Sequence, residues 1–208
     1  MKQKRSAGKL SHNRVSRAAE KGSGVVRGYA AVFWDASNPG TQYQLWANCF
    51  ERIRPGAFDR ALAESQDVRG LFNHDDEWVL GRVFSGTLRL SIDSVGLAYE
   101  IDESTTDPQW ASVASMVDRG DVDGSSFSFM PTSVTWEQET IDGVTVDIRW
   151  LNDVDLFDVG PVTFPAYESA SSGRSGVCDN EHRSLLVERN RYLGEIESVS
   201  IRARVASL

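Results

Sequence analysis

The chain holds three histidines, the residues from which an imidazole base could come. His12 lies in a basic N-terminal stretch and His182 follows a Ser/Gly-rich stretch, so His74 is the histidine within the part of the sequence that is expected to fold. It follows the apolar run 68–72 and precedes two aspartates, which places it at the end of a predicted strand. Imidazole titrates near neutral pH and is the side chain most often used as a general base. His74 is therefore the candidate base, although a lone histidine in a polar turn is more commonly a surface residue.

A serine-rich segment, 124–130, supplies the candidate nucleophile. Because successive side chains of a strand point to opposite faces, Phe127 and Phe129 are expected to share one face. Ser126 and Ser128 then share the other, and their hydroxyls point outward from an anchored strand if the phenylalanines enter the core. Access combined with rigidity suits a nucleophile. The same pattern also fits a half-buried strand with a polar outer face and no chemistry.

Three aspartates near the last predicted strand could orient the base, namely Asp153, Asp155 and Asp158. A carboxylate bound to the histidine holds the imidazole in one tautomer and stabilises its cation. Spacing alone does not choose among the three. A solvated acidic turn would have the same sequence.

The elements that must position these side chains are mostly strands. Short alternating or apolar runs bounded by turn residues predict them at 25–34, 43–53, 68–72, 78–84, 87–92, 97–101, 125–130, 134–139, 144–151 and 156–164. A short helix is expected after Pro55-Gly56. A longer one is expected between Asp107, a favourable N-cap followed by Pro108, and Gly120. Strands and helices do not alternate as βαβ units, so we predict an α+β fold with a mainly antiparallel sheet that could close as a barrel.

Charge and composition divide the chain into three parts. Residues 1–24 are predicted to be a flexible basic arm, 25–168 the folded domain, and 169–208 a linker followed by a C-terminal tail or helix. Residues 1–27 carry eight Lys/Arg and one acid, whereas 28–208 carry 14 Lys/Arg and 29 acids. A basic arm can touch nucleic acid, but a solvated terminus is the commoner case, so no specific nucleic acid is expected.

Several function classes are excluded by composition. Two cysteines without CxxC spacing and three scattered histidines form no disulfide framework or zinc pattern. No apolar run approaches the roughly 18 residues that span a membrane, and the N-terminus lacks the apolar region of a signal peptide. We therefore expect a protein that stays inside the cell. Cys49 is the rival nucleophile, but its surroundings are more typical of a buried structural thiol.

Five segments, in order and at these spacings, resemble the prohead (capsid-maturation) serine proteases of tailed bacteriophages, which are related in fold to the herpesvirus assemblins. The segments are 28–33, 51–58, 71–75 with Leu80-Gly81 beyond it, 120–129 and 156–167. Together they extend over about residues 28–167, most of the predicted folded domain.

The resemblance implies a β-barrel carrying a few helices, with a serine nucleophile and a histidine base. The family's histidine falls on His74, its serine on Ser126, and its acidic position on Asp158, where a longer Glu is common. The family usually has Met before the nucleophile and Gly two residues after it. Here those positions are Ser125 and Ser128. Neither a metal nor a cofactor is implied.

The function implied is that of a serine endopeptidase acting in prohead maturation. Its substrate would be the scaffold or delta region of the phage major capsid protein, and often the protease itself. The site of action would be the procapsid interior in the host cytoplasm, away from membranes, and the resemblance also allows self-association. The alternative from another class is a non-enzymatic procapsid assembly or scaffolding component with the same fold.

Overall fold

The computed structural model describes residues 16–17 and 24–165, and strands dominate that part of the chain. The strands are β1 (Ser16–Arg17), β2 (Val25–Val32), β3 (Tyr43–Trp46), β4 (Cys49–Ile53), β5 (Arg69–Leu71), β6 (Val79–Arg82), β7 (Leu88–Ile92), β8 (Gly96–Asp102), β9 (Gly124–Ile141) and β10 (Val144–Val162). The helices are α1 (Asp59–Ala63) and α2 (Pro108–Arg119), with a 3₁₀ turn at Pro39–Thr41. The described part of the chain is mostly β with few helices, which is consistent with the predicted α+β class. The predicted linker and tail, 169–208, lie outside the described residues, as does most of the predicted arm.

The strands form two sheets. One has the order β1-β2-β8-β7, and every neighbouring pair in it is antiparallel. The other has the order β3-β4-β10-β5-β6, with β9 antiparallel along the second edge of β10. On the first edge of β10, β4 and β5 pair in parallel with two different halves of the strand. The arrangement is mainly antiparallel, as predicted.

The predicted closed barrel is not confirmed, because hydrogen bonds within residues 24–165 leave both sheets open. The sequence suggested four short strands at the end of the domain, whereas the structure has two long ones. The runs 125–130 and 134–139 join as β9, and 144–151 and 156–164 join as β10. Register shifts, including one between Leu151 and Asp153, interrupt their pairing and bend the long hairpin.

A turn within the predicted strand 43–53 divides it into β3 and β4. Asn48 adopts φ 58°, a left-handed conformation that asparagine tolerates better than most residues. The chain can therefore reverse there, and β3 and β4 pair as an antiparallel hairpin.

The core that supports the serine segment is aromatic. Phe58 is fully buried and meets Phe127 edge to face, at a centroid distance of 5.7 Å. Phe127 in turn stacks on Phe129 at 4.6 Å, as their predicted common face requires. Burying a phenylalanine contributes roughly 1.5–3 kcal/mol. The start of β9 is therefore firmly anchored.

The longer helix begins and ends where its capping residues predict. The Asp107 side chain accepts a 2.9 Å hydrogen bond from the Gln109 N–H, and Gly120 ends α2 in a left-handed conformation at φ 77°. One face of α2 is buried, comprising Trp110, Val113, Ala114 and Val117. No helix in the described ranges has the length and apolarity needed to cross a bilayer.

Candidate active site

The end of β5 approaches β10 very closely at Gly160. This close approach places the following turn, which contains His74, next to β10. A Cβ at Gly160 would lie 2.0 Å from the Leu71 carbonyl oxygen, so no larger residue fits there without moving backbone. Beyond Leu71 the chain is held by Asn73, whose N–H donates to the Pro161 carbonyl at 3.1 Å. Its side-chain oxygen accepts from the Thr163 N–H at 2.8 Å. The segment that carries the histidine is thus fixed at two points of β10 and its C-terminal extension.

The backbone turns sharply at the histidine itself. Asn73 and His74 adopt φ 56° and 57°, a conformation uncommon for residues other than glycine. Such conformations persist where the surrounding structure imposes them, and they occur often at functional sites. The turn directs the imidazole toward the face of β10 that carries Asp158.

His74 and Asp158 are in direct contact. The His74 Nδ1 atom lies 2.5 Å from Asp158 Oδ1, and the two side chains are 24% and 10% exposed. A carboxylate beside Nδ1 favours the tautomer with the proton on that nitrogen. The lone pair of Nε2 is then free to accept a proton, which is the requirement for a general base.

The second oxygen of the carboxylate also has a partner. The Ser128 hydroxyl donates to Asp158 Oδ2. Ser128 lies directly opposite Asp158 in the β9–β10 pairing. The carboxylate therefore bridges the histidine and this serine.

Ser126 lies two residues away on the same face of the hairpin. It pairs with Gly160, so its side chain projects from the face that also carries Ser128 and Asp158. Within the described residues its hydroxyl makes no hydrogen bond. The expected outward exposure is wrong, because Ser126 is only 6% exposed. The close approach of Leu71 to Gly160 helps to cover this face.

Ser125 points to the opposite face, into the core. It is 1% exposed, and its hydroxyl lies 3.0 Å from the Tyr99 hydroxyl. A side chain at Gly28 would meet the Ser125 hydroxyl at 2.6 Å, so β2 closes over it. Burial raises the pKa of Tyr99 well above its usual value, and the phenol stays protonated. Ser125 therefore has neither access nor a base.

The other two aspartates are bound elsewhere. Arg60 of α1 donates from Nε to Asp153 at 2.7 Å and from an Nη atom to Asp155 at 2.6 Å. Asp155 also accepts a hydrogen bond from the Gln66 side chain. The hydrogen bond from Arg60, followed by the one from Gln66, lowers the pKa of Asp155. The two carboxylates thus fasten α1 to β10, and Asp158 is the member of the predicted trio that meets His74.

The rival nucleophile Cys49 is fully buried. Burial raises the pKa of its thiol, and the nearby Asp147 carboxylate adds to that effect. A reactive cysteine requires the opposite, a stabilised thiolate. His12 and His182 lie outside the described residues. Within the described ranges, no group of three or more His, Cys, Asp or Glu side chains could hold a metal ion.

The sequence did not reveal three features of the site, namely the close approach at Gly160, the anchoring of the turn by Asn73, and the contact of Ser128 with Asp158. The glycine had a usable signal, since glycine within an apolar strand often marks a close approach of another backbone. The other two act through contacts between residues far apart in the chain, which spacing does not reveal.

The comparisons with known proteins gave one family. A family model described as caudovirus prohead serine protease matches residues 11–181. Searches of curated proteins and of solved structures found no significant match.

Proposed function

Because the chain belongs to the caudovirus prohead serine protease family, we propose that it is an active serine endopeptidase that uses Ser126, His74 and Asp158. The observation that carries the proposal is the contact between His74 Nδ1 and Asp158 Oδ1 at 2.5 Å, on the face from which Ser126 projects. Acyl transfer uses a base held by a carboxylate and an anchored serine, and the serine proposed here projects from the strand face that carries this carboxylate.

The proposed reaction has two halves. His74 Nε2 removes the Ser126 proton as the hydroxyl oxygen bonds to the scissile carbonyl carbon. The carbon–nitrogen bond then breaks, and the imidazolium gives its proton to the leaving amine. Water, deprotonated by His74, next attacks the acyl-enzyme and releases the second product, while the proton returns to Ser126. Asp158 keeps the imidazole oriented and stabilises its cation throughout.

The proposed substrate is the scaffold or delta region of the phage major capsid protein, with self-cleavage in addition. The proposed place of action is the interior of the procapsid in the host cytoplasm. The family is described as a prohead serine protease, and a protease of the prohead acts during capsid maturation. This description supports the choice of the capsid protein as substrate. The proposed enzyme occupies residues 25–168, with a basic arm before it and a linker and tail after it.

The test combines labelling with cleavage. The protein is co-expressed with the major capsid protein of the same phage, and both products are analysed by mass spectrometry. The assembled particles are then treated with a fluorophosphonate, which labels activated serines. We expect capsid cleavage and labelling in the wild type and neither in Ser126→Ala. Ser133→Ala is the matched control, since it removes an exposed serine from the same strand.

The alternative function is a non-enzymatic procapsid component. It predicts assembled particles with full-length capsid protein and no labelling of the wild type. Labelling that persists in Ser126→Ala would instead show that another serine is the nucleophile.

A further inference from the structure

The Asp158 carboxylate has both of its oxygens engaged, by side chains from two different parts of the fold. His74, from the turn after β5, contacts Oδ1, and the Ser128 hydroxyl, from β9, donates to Oδ2. Asp158 is 7% exposed as a residue, so water competes little for these contacts. Hydrogen bonds to a charged group are stronger than those between neutral groups. The orientation of the carboxylate therefore depends on both partners.

The strand pairing holds Ser128 in this role. Ser128 and Asp158 are directly opposite in the β9–β10 ladder, at the register shift between Leu156 and Asp158. Opposed side chains in an antiparallel pair lie close together, and the backbone fixes their separation. A serine needs only one χ1 setting to reach the carboxylate, so the contact costs little side-chain entropy.

Ser128 is poorly placed to be the nucleophile. Its hydroxyl proton is committed to Asp158, on the Nδ1 side of the imidazole. A nucleophile must give its proton to the other nitrogen, Nε2. The serine that shares the face and makes no such contact within the described residues is Ser126.

We infer that Ser128 is a positioning residue, whose hydroxyl fixes the Asp158 carboxylate so that Oδ1 stays in contact with His74. The inference rests on the proposed function of the same site. Without the hydroxyl, the carboxylate can rotate about χ2 and hold the imidazole in its productive orientation for less of the time. Catalysis is sensitive to displacements of this size.

The first test is a set of three variants assayed for cleavage of a capsid-derived peptide. Ser128→Ala should lower kcat about tenfold with KM unchanged, a loss on the scale of one hydrogen bond to a charged group. Ser128→Thr keeps the hydroxyl and should restore most of the rate. Ser133→Ala, further along β9, should have no effect. A Ser128→Ala enzyme with wild-type kcat would overturn the inference.

A double-mutant cycle separates positioning from general stability. If Ser128 acts through Asp158, Ser128→Ala should cost about tenfold in the wild type and nothing further in an Asp158→Ala background. A tenfold loss in both backgrounds would show that the effect does not pass through Asp158. Circular dichroism of each variant confirms that it is folded. A loss of four orders of magnitude together with loss of fluorophosphonate labelling would make Ser128 the nucleophile and overturn the inference.

A third measurement does not depend on activity. With ¹⁵N-labelled histidine and the His12→Gln and His182→Gln substitutions, the proton on His74 Nδ1 should give a slowly exchanging low-field resonance. We expect it to broaden or exchange faster in Ser128→Ala and to persist in Ser128→Thr. An unchanged resonance in Ser128→Ala would overturn the inference even if the wild type cleaves nothing. Failure of the proposed function would instead be seen as absence of labelling and cleavage in the wild type.

Discussion

His74 Nδ1 lies 2.5 Å from Asp158 Oδ1, although 84 positions separate the two residues in the chain. The contact exists because β5 and β10 are parallel neighbours, with Asp158 paired to Arg69. His74 then lies just beyond the end of β5, in a turn that bends back over β10. A histidine in the turn after β5 and a carboxylate on the neighbouring β10 thus meet, although the local sequence around neither residue specifies the contact.

This contact predicts different outcomes for the three aspartates. Asp158→Asn should lower turnover by roughly two to four orders of magnitude, because an amide favours the wrong imidazole tautomer and stabilises the imidazolium less. Asp153→Asn and Asp155→Asn should cleave at nearly the wild-type rate, since those carboxylates bind Arg60. Cleavage rates of the three variants, with circular dichroism to confirm folding, measure the difference. A folded Asp158→Asn protein with normal turnover would point to a Ser126–His74 dyad.

The serine and the histidine should behave as one unit. Ser126→Ala and His74→Ala are each expected to lose roughly four orders of magnitude in kcat/KM, and the double variant should be no worse than either. Single-turnover cleavage of a capsid-derived peptide provides the measurement. His12→Ala and His182→Ala should remain active and serve as controls. Additive losses in the double variant would contradict a shared proton-transfer step.

Local signals predicted much of this molecule. The extent of α2 followed from Asp107 and Gly120, because an N-cap and a left-handed stop act within one turn of the helix. The alternation in the serine segment predicted that Phe127 and Phe129 share one face, and the stacking of their rings at 4.6 Å confirms this. Composition alone singles out His74 as the candidate base, because the other two histidines lie outside the predicted folded domain, and its role as base stays a prediction.

The rest depends on register between distant strands. The sequence marks Ser128 and Asp158 as separate departures from the family pattern, and only the β9–β10 pairing reveals that they touch. The predicted closed barrel is not confirmed, for a related reason. Hydrophobic periodicity does not reveal that β10 is one long strand, which pairs with β4 along one half of an edge and with β5 along the other half. Ser126 is buried because the end of β5 at Leu71 lies over its face of the hairpin, and the alternation of residues within β9 carries no information about that segment.

The Arg60 cluster should stabilise the fold in a pH-dependent way. The folded-state pKa of Asp155 is lowered by Arg60 and Gln66. The contribution of the Asp155 carboxylate to the free energy of unfolding is therefore present above the unfolded pKa of about 3.9, and it is lost as the pH falls through the lower pKa of the folded state. Arg60→Ala should lower the urea midpoint at pH 7, and the difference from wild type should shrink below about pH 4.

Arg119→Ala provides the matched control, since the partners of Arg119 among the described residues, Ser115 and Asp121, are both exposed. It should have a midpoint close to wild type at both pH values. A deficit in Arg60→Ala that is as large at pH 3 as at pH 7 would mean that Arg60 stabilises by packing and not by charge.

The buried thiol of Cys49 should be inert in the folded protein. Its raised pKa keeps it protonated near neutral pH, and its lack of exposure blocks reagents. In a Cys178→Ser variant, we expect no reaction with a thiol reagent at pH 8 and complete reaction after unfolding in urea. Because the pKa of Cys49 is raised in the folded state, the contribution of the protonated thiol to the free energy of unfolding is present below about pH 8.5 and declines at higher pH. Rapid modification of the native protein would contradict the burial of Cys49.

Gly160 should be the glycine in β10 that catalysis depends on. A methyl group there would lie 2.0 Å from the Leu71 carbonyl oxygen, which belongs to backbone and cannot rotate away. Gly160→Ala should therefore push the end of β5 outward, displace His74 from Asp158, and lower stability by about 1–3 kcal/mol. Displacing the base should reduce cleavage by roughly a hundredfold or more, even in conditions where the variant is fully folded.

The control for this substitution is Gly143→Ala, in the turn between β9 and β10. Gly143 has φ 79° and open space around it, so alanine adds backbone strain of about 1–2 kcal/mol without a clash. Urea unfolding, cleavage rate and fluorophosphonate labelling of both variants give the comparison. We expect similar losses of stability but normal cleavage in Gly143→Ala alone. If folded Gly160→Ala also cleaved at the wild-type rate, the close approach of β5 to β10 would not be what positions the histidine.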